Sequence, residues 1–109
     1  MIDKLINYVI IQIIMEKFYR PPFRKFVKKR PRPFQLVIED EVENIEESPE
    51  IGDPKKGGLK VFRAHKFSFQ NKKYLIAYRL KEAEIVFYLI GPHENFYIEL
   101  KRYIKEAGI

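Results

Sequence analysis

The chain contains no cysteine, which excludes a disulfide scaffold, thiol catalysis and any thiolate metal site. Its two histidines, His65 and His93, are too few for a histidine-rich zinc centre within one chain. No serine sits in a Gly-x-Ser-x-Gly elbow, and none of the 5 glycines builds a Walker or Rossmann phosphate loop. No metal and no cofactor is therefore expected. Long apolar runs are missing as well. The run from Tyr8 to Met15 is broken by Gln12 and falls short of the roughly 20 residues a bilayer requires. It lacks the basic leader and small-residue cleavage site of a signal peptide. Residues 1–15 read instead as a strand or an added helix, with Met15 as an alternative start, attached to a single domain over residues 16–109.

The 109 residues are 46% hydrophobic and 15% aromatic, enough material for one packed core. The net charge is +6, which suits a polyanionic partner or simply keeps a small domain soluble. Its distribution says more than its sum. Residues 1–34 carry a net +7, residues 35–54 a net −8, and residues 55–109 a net +7. The acidic block is either a solvated helix face or a device that turns one side away from a phosphate backbone. A small, basic, cytoplasmic domain is the expectation.

Pro22 can open a helix in which Phe23, Phe26 and Val27 share a face. Pro31 and Pro33 end or kink it. A second helix reads from Pro33 or Phe34 to Glu47, with Phe34, Val37, Ile38, Val42 and Ile45 repeating near 3.6 and acids opposite. Ser48-Pro49 stops it, and residues 51–58 read as a loop. Three strands follow, at 60–69, 74–80 and 85–90, joined by turns at 70–72 and 81–84. Beyond Gly91-Pro92 a closing helix carries Phe96, Leu100 and Tyr103 on one stripe and stops at Gly108. The expected fold is α+β: an N-terminal strand and helical hairpin, an antiparallel meander of three to four strands, and a C-terminal helix.

That order resembles the RelE/ParE superfamily of bacterial type II toxins. The segments that carry it are FRKFVKK at 23–29, ESPEIGD at 47–53, GGLKVFRAHKF at 57–67, YLIAYR at 74–79 and LIGPHENFYIELKRY at 89–103. The resemblance implies a toxin neutralised by an antitoxin from the adjacent gene. RelE-like and YafQ-like members cleave mRNA in the ribosomal A site without metal, whereas ParE-like members poison DNA gyrase. Fold alone does not choose between them.

Metal-free RNA cleavage must deprotonate a 2′-hydroxyl, stabilise a crowded phosphate and protonate the 5′-oxygen. Imidazole is the natural proton carrier near neutral pH, and Lys or Arg supplies the charge. His93 follows Gly91-Pro92 at a strand-to-helix corner and is similar to the functional histidine of YafQ-like toxins; the alternative is a histidine that merely caps the last helix. Lys66 is similar to the basic strand residue of RelE-like toxins, and Tyr97 to their late tyrosine, unless it only packs the closing helix. Arg63, His65, Arg79 and Lys60 are candidates for substrate binding. A period of two, however, turns Lys66 away from Arg63 and His65 unless a bulge intervenes. One departure stands out. RelE-like nucleases carry Arg in a Tyr-Arg-Leu-x-Tyr strand, and this chain reads Tyr74-Leu75-Ile76-Ala77-Tyr78. The reading that follows is a ribosome-associated mRNA endoribonuclease. A ParE-like gyrase inhibitor and a non-catalytic nucleic-acid-binding module are the alternatives.

Overall fold

The computed structural model describes residues 15–55, 57–59 and 61–109. The element expected within residues 1–15 lies, apart from Met15, outside the described residues. The order is β1 (Glu16–Tyr19), α1 (Pro21–Lys28), α2 (Arg32–Glu47), β2 (Asp53–Pro54), a 3-10 turn at Gly57–Leu59, β3 (Arg63–Phe69), β4 (Lys72–Lys81), β5 (Glu84–Pro92) and α3 (Phe96–Ala107).

The prolines set both ends of the helical hairpin. Pro21 and Pro22 fill the first turn of α1, where no N–H partner is needed. Pro31, extended, caps α2, and Pro33 sits inside its first turn, so α2 opens slightly before the position expected from periodicity. Phe34, Ile38, Val42 and Ile45 of α2 are buried as their spacing requires.

The five strands lie in the order β1-β5-β4-β3-β2. β1 runs parallel to β5, and the other neighbours are antiparallel. Gln70 and Asn71, both at positive φ, close the β3–β4 hairpin in two residues, which matches the right-handed twist of the strands. β2 was not legible as a strand. It is a two-residue rung, Asp53↔Ala64 and Pro54↔Arg63, in a stretch whose Asp, Pro and Gly content signals a loop.

The sheet is buried on both faces. On one, Phe23, Phe34, Ile38, Val42 and Ile45 of the hairpin pack against Phe67, Tyr74, Ile76, Tyr78, Ile85, Phe87 and Ile90. On the other, Phe96 and Leu100 of α3 pack against Phe62, Ala64, Leu75, Ala77 and Leu89. This is why Tyr74–Tyr78 reads as an unbroken apolar run rather than an alternating one. A register shift at Ala77/Tyr78 gives β5 one extra residue, and it is there that Tyr88 and Leu89 both join the α3-side core. No helix among the described residues is long and apolar enough to cross a membrane.

Candidate functional site

Lys66, Leu75 and Gly91 form one row across the sheet, since Lys66 pairs with Leu75 and Leu75 with Gly91. At about 4.8 Å per strand, the two ends of the row are roughly 10 Å apart. Lys66 stands exposed at one end. His93 lies two residues beyond Gly91 at the other, its residue also exposed. Its backbone is pinned: His93 N–H donates to the Lys73 carbonyl at 3.0 Å, and the Phe96 N–H donates to the His93 carbonyl at 3.3 Å. The loop is fixed while the ring reaches solvent. Neither Lys66 nor His93 forms an ion pair with a carboxylate among the described residues.

α3 begins just past His93, so the positive end of its backbone dipole adds to this cationic corner. Tyr97, in the first turn, is half-buried. Its ring edge meets Phe96 at 5.5 Å, and Lys55 Nζ sits 4.8 Å from the ring centroid. Lys55 thus belongs to the same neighbourhood, although nothing in its loop segment announced that. Leu75, only 2% exposed, lies under the helix with Phe96 and Leu100.

Arg63 and His65 are not brought to this corner, and the substrate-binding roles expected of them find no support. β3 carries no bulge, so both face the helical hairpin while Lys66 faces the other way. The Arg63 guanidinium donates to the carbonyls of Gly52 at 2.8 Å and Glu50 at 3.2 Å. His65 is buried, its Nε2 at 2.5 Å from the Glu41 carboxylate of α2. Both side chains hold the fold together. Lys60 lies outside the described residues.

Arg79 lies elsewhere. It is four residues along β4 from Leu75, about 13 Å at 3.3 Å per residue. There it lines an open groove of about 790 Å³ with Arg20, Arg24 and Lys81. Sequence reasoning missed this set. The signal available was Arg79-x-Lys81, whose spacing of two puts both side chains on one face. A second, more apolar groove of about 440 Å³ runs between β1 and the hairpin, floored by Tyr19, Phe23, Val27, Ile38 and Val42. Lys17 at its rim pairs with Glu46 at 3.1 Å, and that hydrogen bond raises its pKa above the ordinary lysine value.

No curated protein sequence matches the chain. Among solved structures it is similar to the Escherichia coli toxin RelE. A double Arg-to-Ala mutant in the free state aligns with a TM-score of 0.61 and 16% identity, covering 82% of this chain and 97% of that one. The isolated E. coli RelE toxin aligns at 0.56 and 16%, covering 82% and 98%. At this identity the likeness is one of fold. A family model described as the ParE-like toxin of type II bacterial toxin–antitoxin systems matches residues 18–101, from β1 into α3. Spanning most of the chain, that match shows that this protein belongs to the ParE-like toxin family of type II bacterial toxin–antitoxin systems.

Proposed function

We propose that this toxin is a metal-independent endoribonuclease that cuts mRNA on the ribosome and thereby arrests translation. The observation that carries the reading is the placement of two exposed basic residues, Lys66 at one end of a cross-strand row and His93 two residues beyond its other end. In-line attack by a ribose 2′-hydroxyl needs a proton acceptor on one side of the phosphate and charge or a proton donor on the other. A separation of roughly 10 Å between the ends leaves room for a phosphate between the two side chains. His93 takes the proton from the 2′-oxygen, which closes on phosphorus. Lys66 offsets the charge growing on the phosphate and gives a proton to the 5′-oxygen as it departs. Tyr97, held by Lys55 and Phe96, presents a fixed ring beside the row.

The test is cell-free translation with purified toxin and mapping of mRNA 5′ ends. Cuts at A-site codons are expected, and His93→Ala should slow them by about 10²–10⁴-fold, the usual worth of a general acid or base. Lys66→Ala should cost about 10²–10³-fold. Intact mRNA with normal translation overturns the reading.

A second reading rests on Leu75. An apolar side chain buried under α3 occupies the middle of the row, where no charge can help the phosphate. This favours inhibition of DNA gyrase by binding alone. Induced cells would then accumulate gyrase–DNA cleavage complexes while their mRNA stays whole.

Under either reading the partner is an antitoxin from the adjacent gene. The groove between β1 and the hairpin supports an amphipathic segment as the contact, because its apolar floor is rimmed by charges of both signs, Arg24 and Lys28 with Glu39 and Glu43. Co-expression should yield a complex that survives purification.

A further inference from the structure

The groove lined by Arg79 is a second cationic site, distinct from the Lys66–His93 corner. It is contributed by β1, the start of α1, β4 and β5. Arg20, Arg24, Arg79 and Lys81 bring four positive charges to it, against the single carboxylate of Glu84. None of the four forms an ion pair among the described residues, whereas Lys17 beside them is already taken by Glu46. Arg20 is set in place. Its guanidinium lies 5.4 Å from the centroid of the buried Tyr88 ring, and its Nε has no hydrogen-bond partner among the described residues. Phe18, 43% exposed, offers an aromatic surface next to the cations.

We propose that this groove binds the phosphate backbone of single-stranded RNA without regard to sequence, with Phe18 as a stacking surface for an unpaired base. Arginine recognises phosphate through paired donors, and three of the four cations are arginines. An exposed aromatic beside a basic track suits unpaired bases, which a duplex does not present. Arg79 and Leu75 lie on one face of β4, but Ala77 between them is buried under α3, so the groove is a separate site from the Lys66–His93 corner. The choice of RNA over DNA rests on the endoribonuclease reading; the phosphate site itself does not.

The test is fluorescence anisotropy of a labelled 12-nucleotide uridine RNA with the full chain carrying His93→Ala, across a salt series. Arg79→Glu/Lys81→Glu should weaken binding at least tenfold. It should also flatten the plot of log affinity against log salt by about 1.4, at roughly 0.7 per phosphate contact on a single strand. Lys101→Glu/Arg102→Glu, the same charge change on the exposed face of α3, should leave both nearly unchanged. Equal losses from the two double variants, or no loss from the first, overturn the proposal. Tighter binding of duplex DNA than of the RNA overturns the choice of single-stranded RNA. Because no cleavage is read, these outcomes are independent of whether the wild-type chain cuts mRNA.

Discussion

The hydroxyl of Tyr78 donates to the Pro49 carbonyl at 2.6 Å and accepts the Gly52 N–H at 2.9 Å, both in the loop that follows α2. The contact is so close that a Cβ on Gly52 would meet the Tyr78 oxygen at 2.7 Å. Tyr78→Phe leaves two polar backbone groups unsatisfied and should lower stability by about 2 kcal/mol in urea unfolding. Ala at Gly52 should do at least as much harm, because the obstacle is a ring fixed in the core. The same phenol bears on pH. Burial raises the pKa of Tyr78 and of Tyr19 above the ordinary 10.0, and the Glu46 hydrogen bond raises that of Lys17 above 10.5. The folded chain therefore holds protons that the unfolded chain has released. Stabilisation from all three is complete below about pH 10 and is lost as pH rises through the folded values. The melting temperature should hold steady between about pH 8 and pH 9.5 and fall above pH 10, less steeply in Tyr78→Phe.

At the scale of elements, α1 has eight residues, no side-chain N-cap and two prolines, so it does not stand alone. Phe23 secures it, with its ring 5.4 Å from Tyr19 and 5.5 Å from Phe87. Phe23→Ala should cost about 3–5 kcal/mol and loosen α1 first, visible as faster amide exchange there than in β4. α2 is tied to β3 by the Glu41–His65 pair. Removing either partner should cost about 1.5–3 kcal/mol, and a double-mutant cycle should show the two losses are not additive. These elements differ in how plainly the sequence announced them. The hairpin and α3 were legible because their apolar residues recur at helical spacing and proline or glycine marks their ends. β2 was hidden by its two-residue length. Arg63 and His65 looked like site residues because their partners lie 11 to 24 positions away, beyond the reach of local pattern. The exposed positions of His93 and Lys66 were legible because a loop corner and a strand face are local properties.

At the scale of the whole molecule, the basic α1 and the acidic α2 share one face of the sheet, so their charges lie side by side, while Lys66, Arg79 and Lys81 lie on the face that carries α3. Leu75 is where that second face meets the core. Leu75→Arg would restore a guanidinium to the row, but under α3 it would be desolvated among Phe96 and Leu100. The expected outcome is a loss of more than about 3 kcal/mol, or release of α3 from the sheet with gain of exposed apolar surface detectable by dye binding.

The parallel pairing of β1 with β5 joins Glu16 to Glu84 and Tyr19 to Phe87, so the first strand of the described domain waits for the last. Closing so long a stretch of chain is slow, and it comes after the β3–β4 and β4–β5 hairpins, which form locally. On a translating ribosome, a nascent chain that has not yet released residues 84–87 has no place for β1. It therefore lacks the wall of the basic groove that Phe18 and Arg20 supply. The cationic groove is thus completed only once β5 has been made and β1 has paired with it, so the two ends of the described fold must meet before that surface exists.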